Sequence, residues 1–126
     1  MDKIIVSTTK APGAIGPYSQ AVKANGFVFV SGQIPLDPAT GEFVPGGVQE
    51  QTRQCLTNVT NILAAAGSSL DQVVKTTVFI QNIGDFGTMN EVYAEFFKTD
   101  CPARCCVEVA KLPKAALVEI EVIALA

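Results

Sequence analysis

The chain predicts a single α+β domain, a β-sheet with two helices packed on one face, and three observations carry that reading. The hydrophobic period switches between two residues and three-to-four residues along the sequence, marking strands and helices in alternation. Asn25-Gly26 stands between two β-rich runs, a strong signal for a two-residue hairpin. The 126 residues, 48% apolar and 17% charged, suffice for one real core and show no linker or second domain, so residues 1–126 form one unit.

Each element follows in order. Ile4-Ile5-Val6-Ser7 is short, β-branched and suited to a first strand. Ala11-Pro12-Gly13-Ala14-Ile15-Gly16-Pro17 must be loop, because proline and glycine punctuate it. Tyr18 to Lys23 alternates weakly, and Phe27 to Gly32 is the return strand of the hairpin. Pro35 to Gly47 is rich in turn residues. From Val48 an apolar stripe runs through Thr52, Cys55, Leu56, Val59, Ile62, Leu63 and Ala66, and Gly67 stands where a glycine ends a helix. Val73 to Ile80 is a strand with both faces partly apolar. Asp85 suits the N-cap of a second helix, whose stripe of Phe86, Met89, Tyr93, Phe96 and Phe97 reads as core. Cys101-Pro102 stops it, and two further strands follow, giving the order β, ββ, α, β, α, β, β.

The last two strands alternate cleanly. Ala103, Cys105, Val107 and Val109 share one face and Arg104, Cys106 and Glu108 the other; Val118, Ile120 and Val122 oppose Glu119, Glu121, Ile123 and Leu125. Cys55 and Cys105 therefore read as small buried hydrophobes. Cys106, on the same strand face as Arg104, is the only cysteine that is a candidate nucleophile. Central strands that are apolar on both sides need a second covering layer, and no third helix exists to supply it. A partner subunit is the expected cover.

Composition excludes several classes of chemistry. There is no histidine, so the commonest general base, the usual zinc ligand and every Ser-His or Cys-His arrangement are absent. The cysteine spacings match no metal or redox motif. A net charge of −3 with scattered Lys and Arg provides no footprint for nucleic acid. No apolar run approaches the length of a membrane span, and the N-terminus lacks the apolar block of a secretory signal, which points to the cytoplasm. What remains is Arg, carboxylates, Tyr, Ser, backbone groups and water. A permanent guanidinium on a strand with a carboxylate nearby is a receptor for a small carboxylic acid.

Several segments, in order, resemble the Rid (YjgF) family, and within it the branch of 2-iminobutanoate/2-iminopropanoate deaminases. They are Gly16-Pro17-Tyr18-Ser19-Gln20-Ala21, Val30-Ser31-Gly32-Gln33, Val74-Lys75-Thr76-Thr77-Val78, Asp85-Phe86, Asn90-Glu91, Pro102-Ala103-Arg104 with Val107-Glu108-Val109-Ala110 and Leu112-Pro113, and Val118-Glu119-Ile120. The resemblance implies a chorismate-mutase-like fold and a homotrimer with sites between subunits. It implies hydrolysis of 2-imino acids, in equilibrium with enamines, to 2-keto acids and ammonia, without a cofactor. The supply would come from pyridoxal-phosphate-dependent Ser/Thr dehydratases.

It also implies roles. Arg104 would grip the substrate carboxylate; Glu119 and the Cys106 backbone carbonyl would position and polarise water; Tyr18 would close the pocket. Ser31 and Gly32 would contact substrate, and Asn90 is a further polar candidate. Other readings of the same residues stay open. Arg104 and Glu119 taken alone would equally be an interfacial ion pair, Tyr18 a loop anchor and Asn90 a surface amide, with Glu108 and Glu121 as solvated or interface charges. The whole cleft would equally suit a non-catalytic carboxylate-binding regulatory module. Endoribonuclease or translation-inhibitor activity, a label some family members carry, conflicts with the acidic charge.

Overall fold

A computed structural model describes residues 2–126 and contains one six-stranded sheet with two helices. The strands are β1 (Ile4–Val6), β2 (Ala21–Ala24), β3 (Phe27–Gln33), β4 (Val73–Ile80), β5 (Ala103–Glu108) and β6 (Val118–Leu125); the helices are α1 (Val48–Ala65) and α2 (Phe86–Phe96). The spatial order is β1-β2-β3-β6-β4-β5, with β4 and β5 parallel and the other neighbours antiparallel. Short 3₁₀ turns precede β4, α2 and β6. Among the described residues no helix is long and apolar enough to cross a membrane.

Local chemistry explains the joints. Asn25 and Gly26 both take positive φ, 50° and 84°, the conformation that a tight hairpin with right-handed strand twist requires. Gly67 adopts φ 79°, and the amides of Gly67 and Ser68 donate to the Ala64 and Leu63 carbonyls, so the glycine closes α1 as its position predicts. At the other end the Glu50 carboxylate accepts from the Gly47 amide at 2.7 Å.

The core lies between the helices and one sheet face. Leu56, Val59, Ile62 and Leu63 of α1 and Met89 of α2 pack on Val28, Val78, Ile80, Ile120 and Val122. Buried amides flank the α1 stripe and hold loops: Asn58 donates to the Ile34 and Leu36 carbonyls, and Gln51 accepts from the Leu117 amide. Thr52 is the exception, since its hydroxyl is buried without a partner among the described residues. Replacing it with isosteric Val removes that desolvated group, and Thr52→Val is expected to raise unfolding stability by about 1 kcal/mol in urea melts.

Two core assignments need correcting. Cys55 is fully buried, but Cys105 is exposed. The β5 register sets Arg104 beside Thr76 and Cys106 beside Val78, both buried residues of the helix-covered face, so Cys105 points to the open face. Phe86 is 37% exposed at the start of α2, while Met89, Tyr93 and Phe97 are buried and Phe96 partly so. Glu108, read as a solvated or interface charge, accepts a hydrogen bond from the Ile83 amide at 2.9 Å and so braces the turn into α2.

The face opposite the helices is apolar and uncovered in the protomer. The pairing aligns Ile5, Val22, Phe29 and Ile123 in one row across β1, β2, β3 and β6, with Phe27 and Leu125 in the next. Ile5, Phe29, Phe27 and Leu125 are all exposed.

Candidate active site

The residues singled out in the sequence fall into two groups on opposite faces of the sheet. Glu119 projects with Glu121 and Ile123 from the open face, whereas Arg104 projects with Cys106 toward the helices. Thr76 pairs with Arg104 and Phe79 with Glu119, and two strand intervals separate β5 from β6. Strand spacings then set their backbones roughly 14 Å apart, with diverging side chains. One protomer does not bring this cation and this acid together.

The first group surrounds a cavity of about 550 Å³, lined by Ile15, Tyr18, Ser31, Gly32, Leu36 and Glu119 among others. A β-bulge shapes it. Val30 pairs with Val122 and Gln33 with Ile120, so Ser31 and Gly32 together oppose Glu121 alone. The bulge lays Gly32 on the Glu119 side chain, where a Cβ would collide with the carboxylate and stand 2.9 Å from its Cδ. The obstructing atoms end a flexible side chain, so a methyl group there displaces the acid without unfolding the strand. Gly32→Ala is expected to keep the parent melting temperature within a few degrees yet slow any reaction that depends on the position of this carboxylate by up to about 100-fold, measured on the same preparation.

Glu119 is half-buried, and among the described residues it has neither a hydrogen-bond donor nor a salt-bridge partner. Burial, reinforced by the Glu121 charge, holds its pKa above the ordinary carboxylate value. Tyr18 is 53% exposed and its hydroxyl accepts from the Ile15 amide at 3.3 Å. The Ser31 hydroxyl donates to the Ser19 carbonyl at 2.6 Å, so its proton is committed to the loop and only its lone pairs face outward.

Sequence reasoning missed the floor of this cavity. Pro113 and Lys114 line it, and Lys114 and Ala115 take φ of 55° and 58°, a left-handed pair of non-glycine residues. Such backbone costs an alanine about 1–2 kcal/mol. Ala115→Gly is expected to stabilise the fold by about 0.5–1 kcal/mol after the added freedom of the unfolded chain is subtracted, read from denaturant midpoints.

The second group lies at the sheet edge. The Arg104 guanidinium donates through Nη1 to Asn90 Oδ1 at 2.7 Å and stacks over the Tyr93 and Phe86 rings, with its Cζ 4.7 and 5.3 Å from their centroids. Phe86, Asn90 and Tyr93 recur at four- and three-residue steps on one face of α2, which makes that face a cradle for the cation. The Tyr93 hydroxyl is itself bonded to Thr76 at 2.8 Å. Among the described residues no carboxylate pairs with Arg104.

Cys106 is half-buried beside it; burial raises the thiol pKa and Arg104 opposes that rise. The backbone matters more here than the sulfur. Val109 donates to the Ile80 carbonyl, so by two-residue alternation Ala103, Cys105 and Val107 face β4. The carbonyl of Cys106 therefore points out from the free edge of β5.

A protein-family model described as Endoribonuclease L-PSP matches residues 8–126. A mouse protein named 2-iminobutanoate/2-iminopropanoate deaminase is 52% identical over 95% of this chain and 89% of its own length. A solved Yersinia pestis structure of the conserved Rid protein family is 51% identical and superposes with a TM-score of 0.97, covering 99% of this chain and 100% of that one. Escherichia coli TdcF, solved with bound serine, is 51% identical with a TM-score of 0.93, covering 98% of each chain. The six-stranded sheet with two helices on one face thus belongs to a shared architecture, and the chain is a member of the Rid (YjgF) family.

Proposed function

We propose that the protein hydrolyses small 2-imino acids, such as 2-iminopropanoate and 2-iminobutanoate, to 2-keto acids and ammonia, at sites completed by two copies of the chain. The observation that carries this reading is the pair of half-sites, each lacking what the other holds. Among the described residues, Arg104 is pre-oriented by Asn90 and two aromatic rings but pairs with no carboxylate, while Glu119 is a half-buried acid with no salt-bridge partner. The uncovered apolar row on the Glu119 face supplies a reason for copies to associate. A closed homotrimer, each interface setting the β5 edge of one copy against the Glu119 cavity of the next, satisfies both. Names borne by relatives and a serine-bound neighbour favour an amino-acid-derived ligand.

The chemistry needs no further reagent than water. Arg104 holds the substrate carboxylate by two parallel charge-assisted hydrogen bonds, which orients the iminium carbon. Asn90 fixes the guanidinium that does so. Water held between the Cys106 carbonyl and Glu119 attacks that carbon, forming the C–O bond as Glu119 takes one proton. The proton passes to nitrogen, the C–N bond breaks as the carbonyl closes, and the remaining hydroxyl proton leaves with ammonia as ammonium. Tyr18 shuts the cavity, and Gly32 leaves space for the Glu119 carboxylate to lie against the bulged strand. Imines of this kind come from eliminations such as the dehydration of serine and threonine, which places the protein after a dehydratase.

The test follows keto-acid formation from a dehydratase-generated imine in competition with semicarbazide. Acceleration by the parent and its loss in Arg104→Ala support the proposal; an Arg104→Ala protein as active as the parent refutes the site. Ligand binding without any acceleration would point instead to a regulatory carboxylate sensor. The family-model description names an endoribonuclease, a reading that RNA cleavage by nuclease-free protein would favour, against a net charge of −3.

A further inference from the structure

We infer that Gln20 is a positioning residue for Tyr18: its buried carboxamide fixes the loop that carries the tyrosine over the Glu119 cavity. Gln20 is 4% exposed and spends both N–H donors and one acceptor site of its carboxamide on one stretch of backbone. Its Oε1 accepts from the Thr8 amide at 2.7 Å, and its Nε2 donates to the carbonyls of Thr8 at 3.0 Å, Pro12 at 2.7 Å and Ala11 at a longer 3.4 Å. One turn of chain is thereby pinned to the start of β2.

The segment beyond it has little else to hold it. Among the described residues, Gly13 to Tyr18 makes only two hydrogen bonds, both internal: Tyr18 amide to Gly16 carbonyl and Ile15 amide to Tyr18 hydroxyl. Gly16, at φ 120°, lets the chain turn back between them. The loop is thus suspended from two anchors, the Pro12 carbonyl on Gln20 and the Ser19 carbonyl on the Ser31 hydroxyl. Tyr18 is half-exposed, so packing does not fix its ring; the anchors do. Gln20 does not need to touch substrate, because its effect runs through the loop.

The catalytic side of this inference rests on the imine-hydrolysis reading, whereas the structural side does not, and the experiment separates them. The chain holds two tyrosines and no tryptophan, so in a Tyr93→Phe background all tyrosine emission belongs to Tyr18. Gln20→Glu removes both N–H donors and sets a carboxylate against the three carbonyls they face; Gln20→Met keeps the volume without polar atoms and serves where the first variant fails to fold. In that background both are expected to lower Tyr18 anisotropy and increase its quenching by acrylamide, with cooperative melting retained. In the protein with Tyr93 intact, kcat/KM for keto-acid formation falls about tenfold or more, and combining either change with Tyr18→Ala costs no more than Tyr18→Ala alone. Unchanged Tyr18 emission in a folded Gln20 variant overturns the inference, as do losses at Gln20 and Tyr18 that multiply. Should the parent protein lack deaminase activity, the emission still decides whether Gln20 holds Tyr18.

Discussion

Glu119→Gln is expected to lower kcat/KM for imine hydrolysis by about 100- to 10,000-fold while leaving the melting profile close to the parent's, the range that loss of a positioned general base produces. Gln is isosteric and still reaches the cavity, so packing against Gly32 is retained and only the proton acceptor is removed. The sign of the pH dependence follows from the environment. Burial raises the Glu119 pKa in the protomer, which shifts the acid limb of kcat/KM above that of an ordinary glutamate. Activity therefore falls as pH drops through that raised value. A guanidinium brought beside the carboxylate by a second copy favours the charged form and draws the limb back down. Arg104→Ala should then move the acid limb of its residual activity to higher pH than the parent's. A limb that stays in place would show that the two groups do not meet.

Arg104→Lys is the second large expectation. An ammonium keeps the charge but loses the planar fork, so one of two parallel hydrogen bonds to the substrate carboxylate disappears. A hydrogen bond to a charged group is worth about 1.5–3 kcal/mol, which corresponds to roughly 10- to 150-fold in kcat/KM. Lysine also forfeits the stacking on Tyr93 and Phe86 that holds the guanidinium in place. Steady-state measurements with 2-iminobutanoate should place most of the loss in KM. Parent-like kinetics for the lysine protein would mean that charge alone suffices and that the aromatic cradle has no role in orientation.

Much of the fold can be read along the chain because its signals are local. The two-residue alternation of β6, the Asn25-Gly26 turn and Gly67 at the end of α1 each depend on a few neighbouring residues, and each is where periodicity and backbone sterics put it. The faces of β5 are another matter. Ala103, Cys105 and Val107 form the more apolar row, yet the helices cover the row with Arg104 and Cys106. Alternation shows that a strand has two faces; only the register with β4 decides which faces the core. β5 is also an edge strand, where shallow burial lets a polar row lie on the helix side.

The same limit hides the division of the candidate site. Arg104 and Glu119 are each visible as charged residues on strands, but their separation across the sheet depends on two long-range pairings. Phe86 looks like one more member of an apolar stripe until the cation is seen above its ring. Gln20 and the left-handed Lys114-Ala115 pair leave no periodic trace, since their roles lie in loop hydrogen bonds and backbone angles. Cys106 acts through its carbonyl, which side-chain chemistry does not register.

Subunit mixing tests the shared site most directly. Arg104→Ala and Glu119→Gln are each nearly inactive alone, and are to be unfolded together in equal amounts and refolded. If one copy supplies the cation and its neighbour the acid, random assembly leaves both parent residues at about one quarter of the sites, so activity returns to about 25% of the parent's. A refolded mixture no more active than the two variants assayed separately would contradict a site built from two chains.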